Sequence, residues 1–84
     1  MQRVQEHQER RVVGAVRKTA KSEVQVALTK YRGRWFGDVR LFVLDRRGAW
    51  IATRRGTTFD VDQLDELEAA VAKLRQAVGK TATP

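Results

Sequence analysis

Apolar and polar residues alternate from about Glu23 to Phe59 and then recur at steps of three and four, so the chain reads as strands followed by one helix. Over Glu23–Tyr31 the period of two turns Val24, Val26 and Leu28 to one side and Gln25, Ala27, Thr29 and Tyr31 to the other. Arg32-Gly33 turns the chain into a second strand, with Trp35, Gly37, Val39, Leu41 and Val43 on one face and Arg34, Phe36, Asp38, Arg40 and Phe42 on the other. Asp45-Arg46-Arg47-Gly48 predicts a hairpin turn in which Gly48 supplies the positive φ. A third strand is expected over Ala49–Thr53, and Arg54-Arg55-Gly56 is expected to bend the chain into a short fourth strand, Thr57–Phe59.

The helix carries several start signals. Asp60 is a good N-cap, Gln63 completes a capping box, and Phe59 can staple onto Leu64. Val61, Leu64, Leu67, Val71, Leu74 and Val78 then form one apolar stripe, with Gly79 expected to end the helix and Lys80–Pro84 to form a loose tail. One stripe against a small sheet leaves apolar surface uncovered, and Ala69, Ala70 and Ala77 permit close approach of a second helix, so a homodimer is expected.

Residues 1–22 form a basic, Gln-rich leader whose apolar positions are too sparse for a full core-facing stripe. They are expected to be disordered or, alternatively, to form a short amphipathic helix over Val12, Val13, Val16 and Ala20, with Arg10, Arg11, Arg17, Lys18 and Lys21 available to phosphates. The folded domain is then residues 23–79. Neither a secretory signal nor a membrane span is legible, which leads us to expect a soluble intracellular protein, of the cytoplasm or nucleoid in a bacterium or the nucleus in a eukaryote.

Charge narrows the partner. Seventeen Lys and Arg against ten Asp and Glu give +7 over 84 residues, and twelve of the seventeen are arginine. Residues 1–59 hold fourteen basic and five acidic side chains, so the positive field belongs to the strands and leader. Arginines and aromatics sharing one strand face suit single-stranded nucleic acid, whose phosphates bind fixed cations and whose unstacked bases lie on flat side chains. The candidates are Tyr31, Arg32, Arg34, Phe36, Arg40, Phe42, Trp50, Arg54 and Arg55. The plainer alternative is that the aromatics fill a core and the arginines protect a sheet edge.

Little else invites chemistry. With no cysteine the chain has no disulfide, thiolate nucleophile or Cys-based zinc site. His7 is the sole histidine and lies in the leader; Asp60 and Asp62 suit a helix start better than a metal cluster with Asp38 and Asp45. Asp38 is expected to orient Arg40 or Arg34. No catalytic residue, metal or cofactor is expected, and the chain is read as a non-enzyme.

Four pieces of sequence, in order and spacing, resemble the single-stranded DNA-binding domain of the transcriptional coactivator positive cofactor four. These are Lys30-Tyr31-Arg32-Gly33-Arg34, Asp38-Val39-Arg40, Arg54-Arg55-Gly56 and the strand-to-helix junction after it, all within a gapless match from Val24 to Leu74. The resemblance implies an α+β fold, a strongly curved four-stranded antiparallel sheet followed by one C-terminal helix, paired into a dimer whose sheets form channels for single strands. It places DNA contacts on Tyr31, Arg32, Arg34, Arg40, Arg54 and Arg55. Two positions depart: Val43 stands where the family often has a stacking tryptophan, and Ile51 where it has a lysine, so either stacking passes to Phe42, Trp50 or Trp35 or the affinity is lower. The implied function is single-stranded DNA binding of low sequence specificity in transcription, replication or repair, including melted duplex. An RNA-binding module or chaperone, or an adaptor contacting the transcription machinery, are the alternatives.

Overall fold

The computed structural model describes residues 8–81, and its strands follow one another across a single antiparallel sheet. The strands are β1 (Gln8–Thr19), β2 (Ser22–Tyr31), β3 (Arg34–Leu44) and β4 (Trp50–Asp60); a 3-10 turn, Val61–Gln63, leads into α1 (Leu64–Thr81). Each strand therefore pairs with its sequence neighbour, and short turns suffice to join them. Four antiparallel strands and a C-terminal helix are the architecture read from the sequence, but the strands are divided differently.

The leader is the first correction. Residues 8–19 form neither a disordered segment nor a helix; they are β1, paired along its length with β2 from Gln8↔Tyr31 to Thr19↔Ser22. A bulge at Val13 explains why the strand is hidden in the sequence. Val12 pairs with Ala27 and Gly14 with Val26, so the side-chain phase flips within the strand and Val12, Val13, Ala15 and Val16 mimic the spacing of a helical face. Only the β2 edge, supplying the ladder, decides between them. His7 and the rest of residues 1–7 lie outside the described residues, as do residues 82–84 of the expected tail.

The second correction joins the third and fourth expected strands into β4. Phe42 pairs with Ala52 and Arg40 with Gly56, so Thr53, Arg54 and Arg55 stand opposite Leu41 alone and form a wide bulge. Glycine is required where the bulge closes, because a Cβ on Gly56 would lie 2.5 Å from the Val39 carbonyl oxygen and 2.7 Å from Arg40 Cα.

The third correction concerns the helix end. Gly79 keeps a helical backbone and α1 continues to Thr81, so Lys80 belongs to its last turn. The helix start is as expected: the Asp60 N–H donates to Gln63 Oε1 at 3.0 Å. Leu64 packs on β3 at Gly37, where a Cβ would come within 3.4 Å of its Cδ2.

Beyond Leu67 the helix leaves the sheet. Val71, Leu74 and Val78 are more than half exposed, and on the apolar sheet face Trp35, Val43 and Ile51 are 36–45% exposed. The radius of gyration, 15.6 Å, exceeds the roughly 12 Å of a compact chain this long. Among the described residues the buried ones are Ala27, Thr29 and Asp38, all on the face that the alternation assigned to the polar side.

Candidate nucleic-acid interface

Register assembles that face from all four strands. Tyr31, Thr29, Ala27 and Gln25 of β2 stand beside Arg34, Phe36, Asp38, Arg40 and Phe42 of β3; β1 adds Arg10 opposite Thr29, and β4 adds Ala52 opposite Phe42 and Trp50 opposite Leu44. Asp38 is its centre. Its carboxylate accepts from Arg40 Nη2 at 2.9 Å and Nε at 3.2 Å, and from Arg10 Nη2 at 3.3 Å. Arg10 also donates to Gln25 Oε1 at 3.1 Å, and Gln25 to Glu23 Oε2 at 2.9 Å. A carboxylate 5% exposed is tolerable here because two guanidinium groups pair with it, their alkyl stems covering the sheet while one edge of each stays wet.

Asp38 thus orients Arg40, one of the two partners expected of it, whereas Arg34 is paired with Asp60 at 2.8 Å. The difference in exposure separates their roles. Arg40 is about three-quarters buried and its Nη1 donates to the Thr53 carbonyl at 3.2 Å, so it holds the β4 bulge. Arg34 is 68% exposed, and its ion pair lies in water, where such a contact contributes little. Arg34 can exchange Asp60 for a phosphate at small cost.

The bulge is also tied from its own side. Thr53 Oγ1 donates to the Leu41 carbonyl at 2.7 Å and accepts from the Arg55 N–H at 3.1 Å. Arg54 and Arg55 are both exposed, with no carboxylate paired to them among the described residues. The two extra residues of the bulge are what lift these side chains off the ladder.

At the β2–β3 turn, Arg32 and Gly33 have φ of 52° and 79°, the left-handed pair of a two-residue hairpin. Arginine in that conformation is strained by about 1–2 kcal/mol. It places the Arg32 guanidinium 5.3 Å from the Tyr31 ring centre, with Tyr31 itself 41% exposed at the edge of the face.

Every aromatic on the face is accompanied by an arginine. Arg34 lies 5.2 Å from the Phe36 ring, Arg10 5.0 Å from Phe42 and Arg17 5.1 Å from Trp50. Trp35 is on the opposite face with Lys30 5.4 Å from its ring, so of the three aromatics considered for the missing tryptophan only Phe42 and Trp50 share the cationic face. The two departures from the family pattern, Val43 and Ile51, are register partners and form an apolar pair on the other side of the sheet. From the sequence Arg10 and Arg17 are only leader cations available to phosphates; pairing of β1 with β2 is what puts them on this face beside Phe42 and Trp50. The run of β-branched valines at Val12, Val13 and Val16 was the available signal.

Among the described residues no three His, Asp or Glu side chains converge where a metal ion could be held, and no helix is long and apolar enough to cross a membrane.

Solved structures resemble this one. BPSL1147, a PC4 homolog from Burkholderia pseudomallei K96243, matches in its orthorhombic crystal form with 29% identity and a TM-score of 0.74 over 77% of this chain and 88% of that one. Its tetragonal form matches with 28% identity and a TM-score of 0.75 over 80% and 98%. A bacteriophage T5 homolog of the eukaryotic transcription coactivator PC4, implicated in recombination-dependent DNA replication, matches in fold with 16% identity and a TM-score of 0.55 over 89% and 81%. No protein-family description and no curated protein matches the chain. The sheet and helix are those of the PC4-like fold, PC4 being positive cofactor four, and the family resemblance carried by the sequence holds in three dimensions.

Proposed function

We propose that this protein is a non-enzymatic, homodimeric single-stranded DNA-binding protein of low sequence specificity, coactivator-like in its use of melted strands. The observation that carries the reading is one sheet face on which Tyr31, Phe36, Phe42 and Trp50 each stand beside an arginine. Such a face offers bases a stacking surface and offers phosphates a cation at each step. Likeness to PC4 homologs supports the same reading.

Arg32, Arg34, Arg54 and Arg55 are exposed and take the phosphates. Arg40, held by Asp38 and Thr53, supports the bulge that presents Arg54 and Arg55 and adds its remaining wet edge to the track. Tyr31 receives a base at the hairpin end, and Phe42 or Trp50 supplies the stacking for which the family uses a tryptophan at the position of Val43. Dimerisation is supported by the exposed stripe of Val71, Leu74 and Val78, which a second copy would cover.

The experiment is a titration of oligo-dT and a matched duplex. Stacking requires unstacked bases, so the single strand should be preferred by at least about tenfold, roughly 1.4 kcal/mol. Equal affinity would reduce the face to generic cation binding. Matched DNA and RNA strands in the same assay decide between a DNA and an RNA partner.

A further inference from the structure

The opposite end of the sheet from Tyr31 and Arg34 is also basic, and its chemistry differs. The β1–β2 turn and the β3–β4 turn lie side by side there, joined by the Leu44 N–H donating to the Lys21 carbonyl at 2.9 Å. Lys18 sits in a bulge between Arg17↔Glu23 and Thr19↔Ser22, Lys21 in the first turn, and Arg46 and Arg47 at the tip of the second. All four are exposed, and among the described residues none has a carboxylate at ion-pair distance.

The acidic groups nearby are occupied. Glu23 pairs with Arg17 at 3.6 Å. Asp45 is exposed but folded onto its own turn, its Oδ1 accepting from the Arg47 N–H at 2.8 Å and the Ala49 N–H at 2.9 Å, which with Gly48 at φ 87° fixes the turn. In the first turn Thr19 Oγ1 accepts from the Lys21 N–H at 3.1 Å and meets Ser22 Oγ at 2.8 Å. Four cations are thus carried on backbones that are already ordered.

These four cations have no ring of their own. Among the described residues Lys18, Lys21, Arg46 and Arg47 stack on no aromatic, and Trp50, the ring at this end, belongs to the single-strand face with Arg17 beside it. Cations without a stacking surface read phosphates alone, which a double helix presents as densely as a single strand or more so. Neighbouring hairpins of one sheet are about 10 Å apart, the length of about three base-pair steps. The ten residues of β2 separate this end from Tyr31 by roughly 30 Å, so the four cations lie beyond Trp50, where the single-strand face ends.

We propose that Lys18, Lys21, Arg46 and Arg47 form a second nucleic-acid site that grips the phosphates of a double-helical arm, making a single-strand–duplex junction the preferred ligand. The inference rests on the single-strand reading above. The test compares oligo-dT with oligo-dT carrying a hairpin duplex at either end, for the unaltered protein and for a variant with K18A, K21A, R46A and R47A.

The unaltered protein should bind one junction about tenfold more tightly than oligo-dT at low salt. The variant should bind oligo-dT nearly as well as the unaltered protein, lose the junction preference, and show a junction salt slope shallower by about 0.9 per phosphate no longer neutralised. No junction preference in a protein that binds oligo-dT overturns the proposal, as does a preference that survives the substitutions. Equal loss on both ligands also overturns it, by making this end part of the single-strand track. Failure of the unaltered protein on oligo-dT would instead strike the function proposed above. The pair R46A and R47A, confined to a turn tip whose backbone Asp45 holds, is the second variant; unchanged circular dichroism and half or more of the effect are expected, and an unchanged junction preference in that folded pair counts against the site.

Discussion

Individual side chains on the cationic face divide into those already engaged and those free to exchange partners. Tyr31 and the Arg54–Arg55 pair belong to the second group, and they should fail differently. Tyr31→Ala should cost about 1–3 kcal/mol in oligo-dT affinity while leaving the salt slope nearly intact, since stacking releases few counterions. Replacing Arg54 and Arg55 by alanine should flatten that slope by about 0.7 for each single-strand phosphate that the pair neutralises. Affinity measured at several salt concentrations separates the two, and a neutral arginine pair would remove the bulge from the site. Phe42→Ala and Trp50→Ala, read the same way, identify the stacking ring. Gly56→Ala tests the scaffold, because its Cβ would meet the Val39 carbonyl oxygen at 2.5 Å and strand β3 must move to admit it. A loss of about 1–3 kcal/mol in urea unfolding is expected, together with weaker oligo-dT binding as Arg54 and Arg55 are displaced.

At the scale of elements, β1 and α1 have opposite dependences. β1 is held by a ladder to β2 along ten register pairs, whereas α1 meets the sheet at Leu64 and then runs on with its stripe exposed. The stripe needs a partner to be stable as a helix face, given that helices in proteins owe most of their stability to packing. Val71→Asp or Leu74→Asp should therefore abolish self-association and lower helicity, with the sheet little affected. Sedimentation velocity and far-UV circular dichroism check this. A variant that remains dimeric would show that the stripe is not the interface.

The whole molecule is a sheet with a polar, interlocked face and an apolar face only half covered. With Ala27 the one buried apolar residue among those described, a lone chain has little core, and folding should be linked to association. The melting temperature is accordingly expected to rise with protein concentration over the micromolar range. A concentration-independent transition in a sample shown to be monomeric would mean that the interlocked face suffices by itself.

Legibility followed the range of the interactions concerned. Strands β2 and β3, the Arg32-Gly33 and Asp45–Gly48 turns and the start of α1 are written in local patterns: period two, left-handed turn positions and a capping box. The family resemblance rests on the same local pieces. The sequence by itself therefore determined the order of these elements and which aromatics and arginines share the face of β3. Tertiary structure decided what depends on a distant partner. It made β1 a strand, because the bulge at Val13 breaks the local period and only pairing with β2 restores it. It joined the last two strands through a bulge that needs β3 to close it, and carried the helix past Gly79, where nothing nearby demands a left-handed turn. It also brought Arg10 to Asp38 from twenty-eight residues away, and so buried a charged centre within the face that alternation marks only as polar.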